Sequence, residues 1–429
     1  MNVKKTNNTI DKVRQLQRKL YLSATKSKER KFHAVYDKIY RMDILKQAWL
    51  NVRHNNGSAG IDDLTINEVE RIGIDGILED MSCKLKEGKY RPVAVKRVEI
   101  PKDNKGNMRP LGIPTVVDRI VQAAAKIVLE PIFEADFKES SYGFRPKRNA
   151  HKAIEAIRKA CNNKGMWVLD ADIKGYFNNI NHDKLIKMIG MRINDRRILK
   201  LIQQWLKAGV MIDGEYLETE IGSPQGGVIS PLLANIYLHY LDVVWEKYYS
   251  KIGKLVKYAD DFVIVCKNYK DVQHAQKAVE WVMNKLELTI NKEKTKIVSL
   301  WEGKQGFDFL GYHHRMLRHT TREGREYYQL VQWISNKAKA KVQTKVKEFL
   351  TRNTLYHSLE DAIEELNKKI IGWRNYYGLS RWDKLNRLDK YILMKLVMWF
   401  NQKRQERKRK DYYGLCSMFR KQGLVKLAI

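Results

Sequence analysis

The stretch Lys254-Leu-Val-Lys-Tyr-Ala-Asp-Asp-Phe-Val-Ile-Val-Cys266 places two adjacent acidic residues between two apolar runs. The apolar runs have the composition of β-strands, so the stretch predicts a strand–turn–strand hairpin with Asp260 and Asp261 at its tip. Burying one unpaired carboxylate costs several kcal/mol or forces the group to take up a proton. Two neighbouring carboxylates in such a place therefore indicate that a divalent cation neutralises them.

A second acidic strand end precedes this hairpin. The run Met166-Trp-Val-Leu-Asp-Ala-Asp-Ile173 predicts a buried strand that ends at Asp172. Magnesium prefers oxygen ligands and keeps several waters, so carboxylates from separate strands suffice if they converge. Asp172, Asp260 and Asp261 are thus candidate ligands of two Mg²⁺ ions, with Mn²⁺ as a substitute. Asp170 shares the face of Asp172 in an ideal strand, and it either supports the site, hydrogen-bonds a loop or caps the next turn.

The overall charge indicates a polyanionic partner. The chain of 429 residues has 81 Lys and Arg against 49 Asp and Glu, a formal net charge of +32. Such a chain binds nucleic acid largely through counterion release, and its many aromatic residues suit stacking on unpaired bases. An acidic membrane surface is a weaker alternative, because no segment is both basic and continuously amphipathic over about 20 residues.

The cysteines and the N-terminus indicate the cellular setting. Cys83, Cys161, Cys266 and Cys416 are scattered without a Cys-x-x-Cys pair, which argues against a zinc module and a disulfide scaffold. The N-terminus has no apolar signal region, and no apolar run approaches roughly 18 residues. We therefore expect a cytoplasmic protein without a membrane anchor.

The periodicity along the chain predicts mixed α and β structure followed by a helical tail. Residues 1–50 are predicted to be helical and carry 13 Lys and Arg against four acids. The remaining predicted elements are strands at 90–102 and 108–114 around a turn at 103–107, a helix at 116–133, helices starting near His182 and after Pro231, a helix near 276–286, and helices only from about Ile334 onward.

Three blocks in order, Trp167–His182, Gly222–Asn235 and Tyr258–Asp261, resemble the core of group II intron reverse transcriptases. Further matching blocks are Val98–Lys102, Arg109–Pro114, Ser141–Pro146, Leu288–Thr295 and Phe309–Tyr312. The resemblance runs from about residue 35 to the end of the chain. It implies an α+β right-hand polymerase, with fingers and palm around an antiparallel sheet followed by an all-α thumb and maturase region. The implied domains are a basic helical extension at 1–60, fingers at 61–165, palm at 166–320, and thumb and maturase region at 321–429.

The resemblance also implies an activity. It is that of an RNA-directed DNA polymerase that extends a DNA primer on an RNA template with dNTPs. The implied protein also binds its group II intron RNA to assist splicing and mobility, and it reaches target DNA through the RNA–protein complex. The alternatives are a maturase that acts only in splicing, and a domesticated relative in phage defence or CRISPR systems. Because no paired-cysteine cluster or His-Asn-His-like run precedes Ile429, the chain resembles the endonuclease-less form. Autonomous bottom-strand cleavage is therefore not expected.

The same resemblance assigns roles around the acidic residues. Asp172 and Asp260 match the main metal ligands, and Asp261 closes the site. Phe177 matches an aromatic residue that lies against the 2′ position of the sugar and so selects deoxynucleotides. The alternative is that Phe177 is a core residue and Tyr176 has this role.

Basic and polar residues are assigned to the substrate. Lys102 and Arg109, on the two arms of the predicted hairpin, are placed to reach incoming phosphates. Gln225 and the glycines after it match a segment that supports the primer–template and the nucleotide pocket. Lys294 matches a late basic block and is expected to protonate or neutralise the leaving pyrophosphate.

Two regions are candidates for RNA binding. Arg145 either contacts template or nucleotide or is a surface turn residue. The cluster in 403–410 has six positive charges in eight residues, so it is either an RNA-facing surface or a solvated tail; its basic members are Lys403, Arg404, Arg407, Lys408, Arg409 and Lys410. Trp373, Tyr376 and Tyr377 are interpreted as core between helices, and His182 as a helix-start residue.

Overall fold

The computed structural model of the protein describes residues 9–101, 106, 108–212, 215–218, 221–223, 226–405 and 411–428. Several residues with predicted roles in nucleotide or RNA binding lie outside these ranges, namely Lys102, Gln225, Arg407, Lys408, Arg409 and Lys410. The chain divides into two compact units. Unit 1 comprises residues 1–148, 171–262 and 273–295, and unit 2 comprises residues 149–170, 263–272 and 296–429.

The described part of the chain contains fifteen α-helices. In chain order they are α1 (Thr9–Lys26), α2 (Tyr36–Ile39), α3 (Met42–Asn55), α4 (Ile66–Ile72), α5 (Ile74–Lys86), α6 (Val116–Glu134), α7 (Ala150–Asn162), α8 (His182–Gly190), α9 (Arg196–Leu206), α10 (Ser230–Val244), α11 (Tyr269–Lys285), α12 (Asn336–Phe349), α13 (Leu359–Tyr377), α14 (Trp382–Lys403) and α15 (Tyr412–Lys421). Within the described ranges, none of them has the length and apolar character needed to cross a membrane.

Eleven β-strands accompany these helices in the described ranges. They are β1 (Val95–Pro101), β2 (Met108–Ile113), β3 (Trp167–Asp172), β4 (Val210–Ile212), β5 (Glu215–Leu217), β6 (Gly253–Tyr258), β7 (Asp261–Cys266), β8 (Lys296–Ser299), β9 (Gly306–Phe309), β10 (Tyr312–Thr320) and β11 (Glu326–Ile334).

Helix α6 forms the centre of unit 1. Most of its residues are buried, including the polar Asp118, Arg119 and Gln122, so the helix lies inside the unit and not on its surface. Its N-terminus is fixed by the Thr115 hydroxyl, which accepts a hydrogen bond from the Asp118 N–H. Helices α1 and α3 pack against it, and the Gln17 side chain donates to the Ile127 carbonyl. The helix predicted over 116–133 is thereby confirmed.

A four-stranded sheet in unit 1 has the order β2-β1-β4-β5. Strands β1 and β2 are antiparallel, with Ile100 opposite Arg109, whereas β4 runs parallel to β1. This pairing confirms the two strands predicted on either side of residues 103–107. Most of the predicted turn itself lies outside the described residues.

Unit 2 contains most of β7 and β3 together with β8, in that order. Residues 263–266 of β7 are all buried, the pattern of a strand that is covered on both faces. Strands β3 and β8 are antiparallel, from Trp167 opposite Ser299 to Asp170 opposite Lys296. A second sheet in this unit has the order β11-β10-β9.

Helices α12 to α15 share one apolar core in unit 2, which includes Leu366, Ile370 and Leu396. The chain after α15 is attached to this bundle through Asp389. The carboxylate of Asp389 accepts hydrogen bonds from Arg420 at 2.5 Å and from the Leu427 N–H at 2.8 Å. The helical tail predicted from about Ile334 is confirmed.

Over the described part of residues 1–50, the predicted helical structure is observed as α1, α2 and the first part of α3. One prediction about the elements is wrong. Residues 326–334 do not belong to an all-helical thumb, because they form β11. The run Tyr327-Tyr-Gln-Leu-Val-Gln-Trp-Ile334 is rich in aromatic and β-branched residues, and it pairs with β10 along its whole length.

Candidate active site

Asp172 is the last residue of β3, and the segment after α11 holds its carboxylate. Asp172 Oδ2 accepts hydrogen bonds from Lys294 Nζ at 2.9 Å and from Asn291 Nδ2 at 3.1 Å. The Asn291 N–H also donates to the Asp172 carbonyl at 2.8 Å. The side chain of Asp172 remains 24% exposed. The carboxylate is therefore oriented by its neighbours and still reachable from solvent.

Asp260 and Asp261 lie where β6 turns into β7, as the sequence predicts. Ala259 at this turn has a φ of 57°, in the left-handed region. The backbone of Gly143 lies against the turn so closely that a Cβ there would be 2.4 Å from the Ala259 nitrogen. The Asn235 side chain in turn donates to the Gly143 carbonyl at 2.9 Å. The turn that carries the two acids is therefore held by direct backbone contact.

The segment before Gly143 pairs with β6 like a short parallel strand. The Lys257 N–H donates to the Ser140 carbonyl at 2.7 Å, and the Tyr142 N–H donates to the Lys257 carbonyl at 2.8 Å. These bonds fix β6 up to the residue that precedes Tyr258. They set the position from which the acidic turn begins.

The electrostatics of Asp260 indicate which groups surround it. Burial raises the pKa of Asp260, and the negative charge of Asp172 raises it further. Arg109 and Lys294 act in the opposite direction. The structure thus brings two of the predicted carboxylates and two of the predicted cationic residues into electrostatic range of one another. Asp261 lies at the exposed start of β7.

The carboxylates suit a hard divalent cation. Among the described residues, no three Asp, Glu, His or Cys side chains form a complete metal site by themselves. Magnesium does not need such a site, because one or two carboxylates, waters and substrate phosphates usually bind it. The half-buried Asp260, whose ionised form is disfavoured by burial and by Asp172, is a ligand of the type that such a cation stabilises.

Two glycines in the loop before α10, Gly222 and Gly226, lie close to the backbone of other segments. Gly226 has a φ of 122°, and a Cβ there would lie 2.4 Å from the Gly112 carbonyl oxygen of β2. At Gly222 a Cβ would lie 2.9 Å from the Asn178 carbonyl oxygen. His182 Nε2 lies 2.6 Å from the Gly222 carbonyl, at the start of α8 as expected. At Gly226 the missing side chain therefore makes room for the backbone of β2.

Phe177 and Tyr176 lie together in a short 3₁₀-helix after β3. Both side chains are buried, and their rings contact edge to face at 5.5 Å. The Tyr176 hydroxyl donates to the Ala234 carbonyl in α10 at 2.5 Å, so this side chain is anchored in the core. The Phe177 carbonyl accepts from the Ser223 N–H at 2.7 Å. Both rings are therefore part of the core, and the Tyr176 side chain is in addition bound to α10.

A buried ion pair joins β6, the strand before the acidic turn, to α10. Lys257 Nζ donates to Asp242 Oδ2 at 2.6 Å and to the Leu238 carbonyl at 3.1 Å, and the Ser140 hydroxyl donates to Asp242 Oδ1 at 2.7 Å. The side chains of Lys257 and Asp242 are 0% and 1% exposed. Burial lowers the pKa of Lys257, and Asp242 offsets part of this effect. Burial alone would raise the pKa of Asp242, but Lys257 and His239 bring it below its usual range.

Arg145 has a structural position. Its guanidinium donates to both oxygens of Glu134 and to the carbonyls of Lys138 and Ser141, and it lies over the ring of Phe137. Its side chain is only 3% exposed. The predicted RNA contact of Arg145 is therefore wrong, because the fork of donors is used inside the protein.

The described part of the C-terminal basic cluster lies at the end of α14. Lys403 is exposed, and its ammonium donates to the Leu355 carbonyl at 2.7 Å. Arg404 is also exposed and lies over the ring of Phe400. Both side chains thus border the solvent, as an RNA-facing surface requires.

Several residues that position the site were missed by the sequence analysis. Asn291 orients Asp172, Asn235 holds Gly143, and Lys257 with Asp242 fixes β6. A local signal for Lys257 and Asp242 exists, since each is a charged residue with apolar or aromatic neighbours on both sides, in Leu255–Ala259 and Tyr240–Trp245. A charge buried in this way needs a partner, and the two are partners for each other.

Two family models match the chain. The first, described as reverse transcriptase (RNA-dependent DNA polymerase), matches residues 100–314, which include all three candidate acids. The second, described as the group II intron maturase-specific domain, matches residues 339–414. The fold and the site thus define the class, an RNA-directed DNA polymerase with a maturase domain. Enzymes of this class depend in general on divalent metal ions.

The chain is also similar to individual proteins. It is 32% identical to the group II intron-encoded protein LtrA of Lactococcus lactis subsp. cremoris, over 83% of this chain and 72% of that protein. It is 36% identical to protein YkfC of Escherichia coli K12, over 59% of this chain and 77% of that protein. The chain belongs to the family of group II intron-encoded reverse transcriptases and maturases, which act in intron splicing and mobility.

The contact between Gly143 and the acidic turn yields a first prediction. In Gly143→Ala the new methyl group must displace the Ala259 backbone, so we expect primer extension to fall roughly tenfold to hundredfold. Unfolding stability should fall by about 1–3 kcal/mol. Primer-extension assays and thermal unfolding measure the two effects. Gly76→Ala is the matched control, since a Cβ there meets no atom within 4 Å; equal behaviour of the two variants would contradict the argument.

The buried ion pair yields a second prediction. Lys257→Met leaves the Asp242 carboxylate buried without its partner, which should cost about 3–5 kcal/mol in urea unfolding. The double variant Lys257→Met/Asp242→Leu removes both charges and should recover most of this loss. Lys304→Met, at the exposed pair with Glu302, is the control and should change stability by less than about 1 kcal/mol. A double variant as unstable as the single one would show that the pair is not the cause.

Proposed function

We propose that this enzyme extends a DNA primer on an RNA template with dNTPs, using Asp172, Asp260 and Asp261 as the ligands of two Mg²⁺ ions. The observation that carries the proposal is the convergence of the half-buried Asp260 with Asp172, Arg109 and Lys294. When bound, such ions activate the primer hydroxyl and stabilise charge on the transferred phosphate.

The residues around the carboxylates have separate tasks in this proposal. Asn291 and Lys294 hold the Asp172 carboxylate in one orientation. Arg109 and Lys294 bring positive charge to the position where the phosphates of an incoming nucleotide carry negative charge. Lys102 and Gln225 are proposed to contribute to the same pocket, from the sequence resemblance alone.

Binding of the intron RNA is proposed for the basic C-terminal surface. Lys403 and Arg404 are exposed at the end of α14, and Arg407, Lys408, Arg409 and Lys410 continue the same run in the sequence. Such a surface binds phosphates with a strong dependence on salt. Contact with target DNA is proposed to occur through the RNA–protein complex. The boundaries of fingers, palm and thumb given above remain part of the proposal.

The third prediction tests the metal ligands. Asp260→Ala/Asp261→Ala should lower primer extension at least about a thousandfold, because metal ligation contributes several kcal/mol to the reaction. Splicing of a bound intron RNA should persist, since it needs no nucleotidyl transfer at this site. Asp62→Ala/Asp63→Ala is the matched control with the same loss of charge at another acidic pair. An unmodified protein that supports splicing but extends no primer would favour the alternative, a maturase that acts only in splicing.

The fourth prediction tests the ring at the sugar. In Phe177→Ala the space for a ribose hydroxyl opens, so the ratio of ribonucleotide to deoxynucleotide incorporation should rise roughly 10- to 100-fold. Tyr176→Phe removes only the hydroxyl that binds Ala234 and should lower stability by about 1 kcal/mol without a change in this ratio. Single-nucleotide incorporation with both substrate types measures the ratio. A change of the ratio in Tyr176→Phe alone would exchange the two roles.

A further inference from the structure

A cavity of about 470 Å³ opens beside α14, within the segment that matches the maturase domain. We call it the α14 cavity. Most of its lining comes from one face of α14, at spacings of three and four residues, and one residue comes from the start of α15. The lining residues are Arg387, Lys390, Tyr391, Met394, Val397, Met398, Asn401 and Tyr412.

The composition of the α14 cavity combines rings, soft apolar side chains and positive charge. Tyr391 and Tyr412 supply aromatic surfaces, and Met394 and Met398 are 38% and 40% exposed. Aromatic rings of this kind stack on bases, and methionines adapt their shape to a planar guest. The volume lies within the range of about 300–1,000 Å³ that small-molecule sites occupy.

Two polar atoms of the lining are buried without a partner. Within the described residues, neither the Tyr391 hydroxyl nor Asn401 Oδ1 has a hydrogen-bond partner. Buried polar atoms without a partner are destabilising, so a guest that pairs with them is favoured. An amide and a phenol match the donors and acceptors on the edge of a nucleobase.

The charges around the α14 cavity favour a polyanion. Arg387 and Lys390 belong to the lining, which contains no acidic side chain. The acid next to them in sequence, Asp389, is bound to Arg420 and to the Leu427 N–H and is only 9% exposed. At the end of the same helix Lys403 and Arg404 are exposed. Phosphates on either side of an inserted base would therefore meet positive charge.

We infer that the α14 cavity receives one unpaired nucleobase of an RNA that binds to the maturase segment. The base would stack on the tyrosine rings and pair with Asn401 and Tyr391, while Arg387 and Lys390 contact the flanking phosphates. A double helix cannot present a base in this way, so the inference specifies a single-stranded or bulged nucleotide. It rests on the proposed binding of RNA and adds the position and chemistry of one contact.

Photo-cross-linking tests the inference on the full-length chain. The probe is a 12-nucleotide uridylate RNA with one central 4-thiouridine, and cross-linked peptides are mapped by mass spectrometry. We expect a cross-link in the peptides that contain residues 387–401 or Tyr412. It should weaken at least about fivefold in Met398→Trp, which fills the cavity, and in Asn401→Leu, which removes the polar partner. Tyr356→Ala, which removes an aromatic ring that is 79% exposed outside the cavity, should leave the yield unchanged.

The outcomes separate this inference from the function on which it rests. Thermal unfolding first establishes that each variant is folded, and the two cavity variants provide independent tests if one is unstable. If the wild-type protein binds the RNA and both folded cavity variants cross-link to it as strongly as the wild type, the inference is overturned and the proposed function stays intact. A wild-type protein that binds no RNA overturns both. Loss of the cross-link in Tyr356→Ala would also overturn the inference, because the contact would then lie elsewhere.

Discussion

The buried ion pair between Lys257 and Asp242 is the interaction on which the candidate active site depends. It joins β6, the strand that leads into the acidic turn, to α10, the helix whose Asn235 and Ala234 hold Gly143 and Tyr176. Removing one partner of such a pair costs about 3–5 kcal/mol, which is a large part of the stability of a typical domain. Helix α10 therefore positions β6, the acidic turn after it and the 3₁₀-helix that contains Tyr176.

The second constraint is repulsion between like charges. Asp172 and Asp260 are close enough to raise the pKa of Asp260 beyond the effect of burial, and Arg109 and Lys294 reduce this effect. Of these two cations, Lys294 is directly bound to Asp172. Burial and the charge of Asp172 together disfavour the ionised form of Asp260, and a divalent cation bound at this position would favour it again.

The sequence predicts the candidate carboxylates better than the residues that hold them in position. Asp172 and Asp260 are recognisable because strand ends and an acidic dipeptide are local patterns, and their strands are observed nearly where predicted. Arg145 was placed wrongly because nothing local distinguishes a surface arginine from one whose partner, Glu134, lies on a preceding helix. Strand β11 was missed because its pairing with β10 is a tertiary effect. The close approach of Gly226 to Gly112 is likewise a tertiary contact, because the two glycines are remote in sequence.

The division of the chain has a consequence for recombination. The backbone passes between the two units five times. Both strands that carry candidate carboxylates cross the boundary within two residues of them, since β3 passes from unit 2 to unit 1 after Asp170 and β7 passes from unit 1 to unit 2 after Phe262. A chimera that exchanges only the stretch after residue 295 leaves α7 and most of β3 and β7 behind, although these belong to the same unit as the exchanged helices. Exchange of a complete unit between relatives requires several simultaneous crossovers, so gene shuffling at a single junction would tend to separate elements that pack together.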